Sequence, residues 1–356
     1  MLVALMLVAL LLAACSEPCE PVPEGGLGEL TSWESDYVDS AQRPEPPETE
    51  YLEGEDGLPL AYTDWLPDDW DGTGPVVVLV HGSSAHGGLY GVLGEGLAAR
   101  GVLARLIDMR GHGLSRCSVF PGCDPTEPPS YTDDGSYWSG RPGDALDEHQ
   151  LVRDLLDHML DLQRAWPEAS MVLAGHSSGG GLVSRAIETS GAQGAVGVAL
   201  IAPFNHPEQP QVELGSWECG AIVGTPYAQV DLGALGDARR GNAHRYVLSL
   251  HKEPEYQDAL DTLEYTYALN QGLAVTDPDE FHQAFVLPTL WVAGREDAML
   301  DLEASRGEFG RMPGATAFVE VENTSHVGLS WSDGVAGTIA AFAHDPEAAS
   351  SGVIEP

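Results

Sequence analysis

Positive charge is scarce in this chain. Sixteen Lys and Arg residues stand against 55 Asp and Glu, a formal net charge of −39 over 356 residues. A surface this acidic repels phosphate backbones and anionic membranes, which argues against nucleic acid as a partner. Cysteine is scarce too, five in all, and no C-x-x-C occurs. A zinc site is therefore unsupported. The acidity is not organised into a D-x-[DN]-x-[DN]-G loop, so a calcium role has no motif behind it, and a solubilising surface is the plain reading. No motif calls for a cofactor. Internal repeats are absent. The apolar run at residues 1–14 is short of the roughly 20 residues that span a bilayer.

That run stops at small residues and a cysteine, Leu12-Ala13-Ala14-Cys15. It reads as a signal peptide over 1–14, and it resembles the lipobox of bacterial lipoproteins, which implies lipidation at Cys15. No Lys or Arg precedes the run, a departure from the usual basic start. The plainer alternative is an ordinary secretory signal with an incidental cysteine. Either way the expectation is an exported protein of the bacterial envelope, lipid-anchored or secreted. Cys19, Cys117, Cys123 and Cys219 then face an oxidising compartment, with three connectivities open. Cys117 and Cys123 bracket a Pro121-Gly122 turn and are the first candidate pair.

Residues 15–48 are rich in Pro, Glu, Gly and Ser and read as a flexible tether. From residue 49 the pattern changes. A strand pair around Asp56-Gly57 leads into the continuous apolar run at 75–80, as in a strand buried on both faces. Strands at 102–107, 171–174, 195–201, 286–292 and 316–321 alternate with helices at 90–100, 147–166 and 331–343. This alternation predicts an open, mostly parallel α/β sheet with helices on both faces. The domain is expected over 49–344, with an insertion at about 204–285 and a C-terminal tail at 345–356.

The most informative residues are Gly175-His176-Ser177-Ser178-Gly179, set between the apolar run at 171–174 and a helical stretch. Strand, G-x-S-x-G and helix form a nucleophile elbow. The serine sits in a strained turn, and its glycine neighbours let strand and helix approach. His81-Gly82-Ser83 follows a buried strand, and Asp108-Met109-Arg110-Gly111-His112-Gly113-Leu114-Ser115 follows the next. Gly294-Arg295-Glu296-Asp297 and Asn323-Thr324-Ser325-His326 follow two later strands.

With these motifs the chain resembles the α/β-hydrolases, and among them the group of serine aminopeptidases, lysophospholipases and monoacylglycerol lipases. The resemblance runs over about 51–343 and fades across the insertion, which would be the cap. It implies a triad of Ser177, Asp297 and His326, in the chain order of that fold. The backbone amides of Ser83 and Ser178 would form the oxyanion hole. Glu296 and Asp301 compete for the acid role, with position favouring Asp297. His81, His112 and His176 are expected to order loops, as is the 108–115 segment.

The leading expectation is a serine hydrolase that cleaves carboxylic esters, with an acyl lipid, lysolipid or shorter acyl ester as partner. A proline-iminopeptidase-like aminopeptidase is the alternative, with Glu208, Glu213, Glu218, Glu253 and Glu255 available to a substrate ammonium. A non-catalytic binding lipoprotein is the third reading, against which all three triad positions are filled. Trp217, Tyr227, Tyr246, Tyr256, Tyr265, Tyr267 and Phe281 are expected to give the insertion its core and to wall the substrate site.

Overall fold

The computed structural model describes residues 30–40, 43–116, 130–131, 137–138, 141–191, 194–207, 209, 217–219, 222–224, 227–252 and 257–356. The signal, Cys15, Cys117 and Cys123 lie outside these residues.

A short helix α1 (Ser32–Ser40) precedes the antiparallel pair β1 (Glu50–Glu53) and β2 (Pro59–Trp65). Then come β3 (Pro75–Val80), α2 (Gly91–Ala98) and β4 (Leu103–Ile107). The two-residue strands β5 (Ser130–Tyr131) and β6 (Tyr137–Trp138) pair with each other. Helix α3 (Gln150–Ala165), β7 (Ser170–His176), α4 (Ser178–Ser190) and β8 (Ala195–Ile201) follow. The nine-stranded sheet is completed by β14 (Thr289–Gly294), β15 (Ala315–Val321) and β16 (Gly352–Ile354), with α7 (Leu302–Phe309) and α8 (Asp333–His344) between them. Its order is β1-β2-β4-β3-β7-β8-β14-β15-β16, antiparallel at the β1-β2-β4 end and parallel from β4 onward.

Side-chain alternation explains why these strands are apolar throughout. Val76, Val78 and Val80 of β3 enter one core cluster, and Val77 and Leu79 enter the other. Strands β7, β8 and β14 divide in the same way. A pleated strand covered on both faces needs apolar residues at both parities. Leu151, Leu155, Met159 and Leu162 of α3 pack on the first face with α4; Leu93 and Leu97 of α2 pack on the second with α8.

The insertion folds as a five-stranded antiparallel sheet, ordered β13-β12-β11-β10-β9. Its strands are β9 (Trp217–Cys219), β10 (Ile222–Gly224), β11 (Ala228–Asp231), β12 (Tyr246–Leu250) and β13 (Glu264–Thr266). Two short helices, α5 (Leu232–Ala238) and α6 (Tyr267–Gly272), accompany them. Its core is mostly borrowed. Tyr227, Leu250, Tyr265, Leu269, Phe281 and Phe285 belong to the cluster of the large sheet, while the separate cluster holds only Ala234, Ala238 and Val247 as fully buried members.

Two ends of the chain depart from expectation. Within the stretch read as a tether, residues 32–40 form a helix, and Glu34 is fully buried. Thr31-x-x-Glu34 is half a capping box: the Glu34 carboxylate accepts the Thr31 amide at 2.7 Å. At the other end, 352–354 pair in register with Val319, Glu320 and Val321 instead of trailing as a tail. The unpaired backbone edge of β15 is what recruits them.

Candidate active site

The elbow forms at the C-terminal end of β7. Ser177 takes φ 52° and ψ −124°, a conformation that non-glycine residues occupy only when the surroundings enforce it. Here its amide donates to the Ile201 carbonyl at 2.9 Å, and its carbonyl accepts from Phe204. A Cβ on Gly175 would overlap the Gly179 carbonyl, and one on Gly179 would overlap the carbonyls of His81 and Val80. Both glycines are therefore steric requirements of the turn.

His326 stands beside the elbow, its ring centroid 5.0 Å from that of His176. Its Nδ1 lies 2.7 Å from Asp297 Oδ2, and both side chains are 3% exposed. A carboxylate only accepts, so Nδ1 carries the proton and Nε2 presents a lone pair. That Nε2 is buried with no partner among the described residues. The second carboxylate oxygen of Asp297 takes the amides of Met299 and Leu300 at 2.8 and 3.1 Å, which fixes the acid. The competitors are elsewhere: Asp301 caps α7 through the Ala304 amide, and Glu296 is exposed.

The 81–84 loop adjoins the serine, since a Cβ on Gly82 would lie 3.1 Å from Ser177 Cβ. Its backbone groups are tied on several sides. His81 Nδ1 donates to the Gly82 carbonyl at 2.8 Å while its Nε2 accepts the Met109 amide at 3.0 Å. The Gly82 amide donates to Tyr90 Oη at 2.8 Å, and Tyr90 donates to His176 Nδ1 at 2.7 Å. His176 Nε2 donates in turn to the His326 carbonyl at 3.0 Å. Every tautomer in this chain follows from its carbonyl acceptor. Ser84, at φ 58°, donates its amide to Tyr265 Oη at 2.8 Å. Tyr265 donates to His112 Nε2 at 2.8 Å, and His112 Nδ1 donates to the Arg110 carbonyl at 3.0 Å. Tyr227 donates to the Ser83 carbonyl at 3.3 Å. The amides of Ser83 and Ser178 have no acceptor among the described residues. Ser178 opens α4, where helix amides lack intrahelical partners and favour negative charge.

This network requires neutral imidazoles, and burial supplies them. It depresses His112 to about 4 and His176 to about 3, and holds His81 well below the ordinary value. Burial also keeps the phenols protonated, pushing Tyr227 up to about 12. The 108–115 segment scaffolds the same loops. Asp108 accepts the Gly87 and Leu114 amides at 2.6 and 2.7 Å. Arg110, wholly buried, bridges Asp56 and Asp154.

Two features escaped the sequence reading. Tyr227 and Tyr265, expected as core or substrate wall, spend their hydroxyls on the 81–84 loop. Glu34 reaches the loop that carries His326, and its only sequence signal was the T-x-x-E spacing. Among the described residues no group of three or more His, Cys, Asp or Glu is arranged to hold a metal. No described helix is long and apolar enough to cross a membrane.

A nine-stranded, mostly parallel sheet carrying a strained serine at a strand–helix elbow defines an α/β-hydrolase. The family described as serine aminopeptidase S33 matches residues 73–326, and the chain belongs to it. A curated monoacylglycerol lipase of Mycolicibacterium smegmatis is 29% identical over 130 residues, which is 36% of this chain and 38% of that protein. The aligned region thus spans well under half the relative's length. Among solved structures, a soluble variant of monoglyceride lipase from Saccharomyces cerevisiae with a substrate analogue superimposes at TM-score 0.56. It is 15% identical, covering 84% of this chain and 94% of that one. The Paleococcus ferrophilus monoacylglycerol lipase superimposes at TM-score 0.53 with 18% identity, covering 81% and 99%. At such identities the structures speak for the fold alone.

Proposed function

We propose that the protein is an exported serine hydrolase that cleaves carboxylic esters of acyl lipids, lysolipids or shorter acyl groups. The observation that carries this reading is the Asp297–His326 pair, with its buried Nε2 unpartnered beside the strained Ser177. In the proposed reaction Ser177 Oγ attacks the ester carbonyl as His326 Nε2 takes its proton. The Ser83 and Ser178 amides hold the oxyanion. Collapse expels the alcohol, protonated by His326, and leaves an acyl-enzyme; water, deprotonated by the same imidazole, releases the acid. Asp297 fixes the tautomer and stabilises the imidazolium.

The sequence similarity to a monoacylglycerol lipase supports an ester substrate. The family's description keeps removal of N-terminal residues as a second reading. The proposed location is the bacterial envelope, through a lipid anchor at Cys15. Cys15→Ser is expected to move the protein out of the membrane fraction.

A fluorophosphonate probe is expected to label Ser177, and Ser177→Ala to abolish labelling without unfolding the protein. If the alanine variant hydrolyses p-nitrophenyl acetate at the wild-type rate, the nucleophile is elsewhere. Comparing kcat/KM for esters of graded chain length with amino-acid arylamides separates the two readings. Short or medium acyl esters are expected to win at both low and high salt. Faster arylamide cleavage that depends on a free α-amino group would establish the aminopeptidase.

A further inference from the structure

Helix α1 lies far outside the family-matched region in sequence, yet it touches the loop that carries His326. Glu34 Oε1 accepts the Ser325 amide at 2.8 Å, across 291 residues of chain. Trp33 Nε1 donates to the Asn323 carbonyl at 2.7 Å. Tyr37 stacks on Trp331 with centroids 5.3 Å apart. The contacts thus run from Asn323, through the residue before His326, to the 3₁₀ turn just after it (Gly328–Trp331).

The Glu34 carboxylate is fully buried, and no Lys, Arg or His pairs with it among the described residues. Its partners are backbone amides, one per oxygen: Thr31 within its own helix and Ser325. A buried carboxylate without a counter-ion is a poor source of stability. Its amide bonds, however, are charge-assisted and directional. The 323–328 loop is also shaped to receive it. A Cβ on Gly328 would overlap Glu34 Oε1 and approach Glu34 Cδ to 2.6 Å; the three nearest atoms all belong to Glu34. Asn323, whose carbonyl accepts from Trp33, takes φ 49°, a left-handed conformation.

We propose that Glu34 is a positioning residue for His326: the N-terminal segment reads as a tether but latches the histidine loop in its working geometry. This rests on the assignment of His326 as the base. A catalytic group displaced by about an ångström can lose on the order of a hundredfold in rate. An intact latch is therefore a condition of full activity.

The test uses the full chain and a p-nitrophenyl ester. Glu34→Gln keeps one acceptor at full reach for the Ser325 amide, sets its NH2 against the Thr31 amide at the helix start, and is expected to retain kcat within about threefold. Glu34→Asp withdraws the carboxylate by one methylene and is expected to lose roughly tenfold or more in kcat with KM nearly unchanged. Thermal melting shows that both variants are folded at the assay temperature. A double-mutant cycle adds a readout that general loosening would not give. Gly328→Ala alone is expected to lower kcat at least tenfold by expelling Glu34, and to add little in a Glu34→Ala background, where the space is free. Wild-type kcat in Glu34→Asp, or additive losses in the cycle, overturns the proposal. His326→Ala tests the underlying assignment separately. If it is inactive while Glu34→Asp is normal, only the latch fails; if it retains wild-type kcat, the base assignment fails.

Discussion

The two loops that flank Ser177 are held in different ways. The 81–84 loop is clamped by neutral groups: three buried histidines with determined tautomers and the hydroxyls of Tyr90, Tyr227 and Tyr265. The 323–328 loop is held by carboxylates, Asp297 on the His326 ring and Glu34 on the Ser325 amide. The difference matches the charge each loop would manage. An oxyanion hole needs fixed donors with no competing negative charge nearby, whereas a histidine that becomes imidazolium gains from an adjacent carboxylate. A single chain, Gly82–Tyr90–His176–His326, joins the two sides through oriented hydrogen bonds.

The largest effect is expected on the charged side. Asp297→Asn keeps the shape but favours the wrong imidazole tautomer, and kcat is expected to fall by roughly 10⁴. Retained esterase activity would mean that the pair does not do the proton chemistry. On the neutral side, Tyr265→Phe removes both the acceptor for the Ser84 amide and the donor to His112. A loss of about 10- to 100-fold in kcat, with KM little changed, is expected from a misplaced oxyanion loop. An unaltered kcat would show that the insertion only covers the site.

Acid should separate the loops further. Burial depresses His112 to about 4 and His176 to about 3, against an unfolded value near 6.5. Between those values the unfolded chain binds protons that the folded one refuses. Stability is therefore full above about pH 6.5 and falls as pH drops toward 4, by roughly 3 kcal/mol for His112 alone. Melting temperatures across pH 7.5 to 4 check this. A flat profile would mean that these imidazoles are not buried neutral. The smallest effect is expected at the bridge: Tyr90→Phe should cost severalfold in kcat. Combined with Tyr265→Phe its effect should be additive within about 0.5 kcal/mol, because the two tyrosines share no partner. Strong coupling would show that the 81–84 loop moves as one unit.

The core of the large sheet was legible because its physics is local. A strand buried on both faces must be apolar throughout, as 75–80 and 195–201 are, and an elbow between a strand and a helix needs its flanking glycines. The insertion was less legible. Its strands are short and most of its buried aromatics complete the core of another sheet, so no periodicity within 204–285 specifies its five-stranded order.

By itself, the sequence determined the parallel α/β frame and the elbow at Ser177, since each depends on neighbours a few residues apart; the acid and the histidine came only as what the family resemblance implied. Only the tertiary structure decided that Asp297, not Glu296 or Asp301, meets His326, since that pairing is set by how two loops pack. It alone placed Tyr265 on Ser84 and Glu34 on Ser325. Those contacts join residues 181 and 291 positions apart. A hydroxyl or carboxylate in a sequence carries no sign of the distant amide it will satisfy; burial and the need to pair every polar group make that choice.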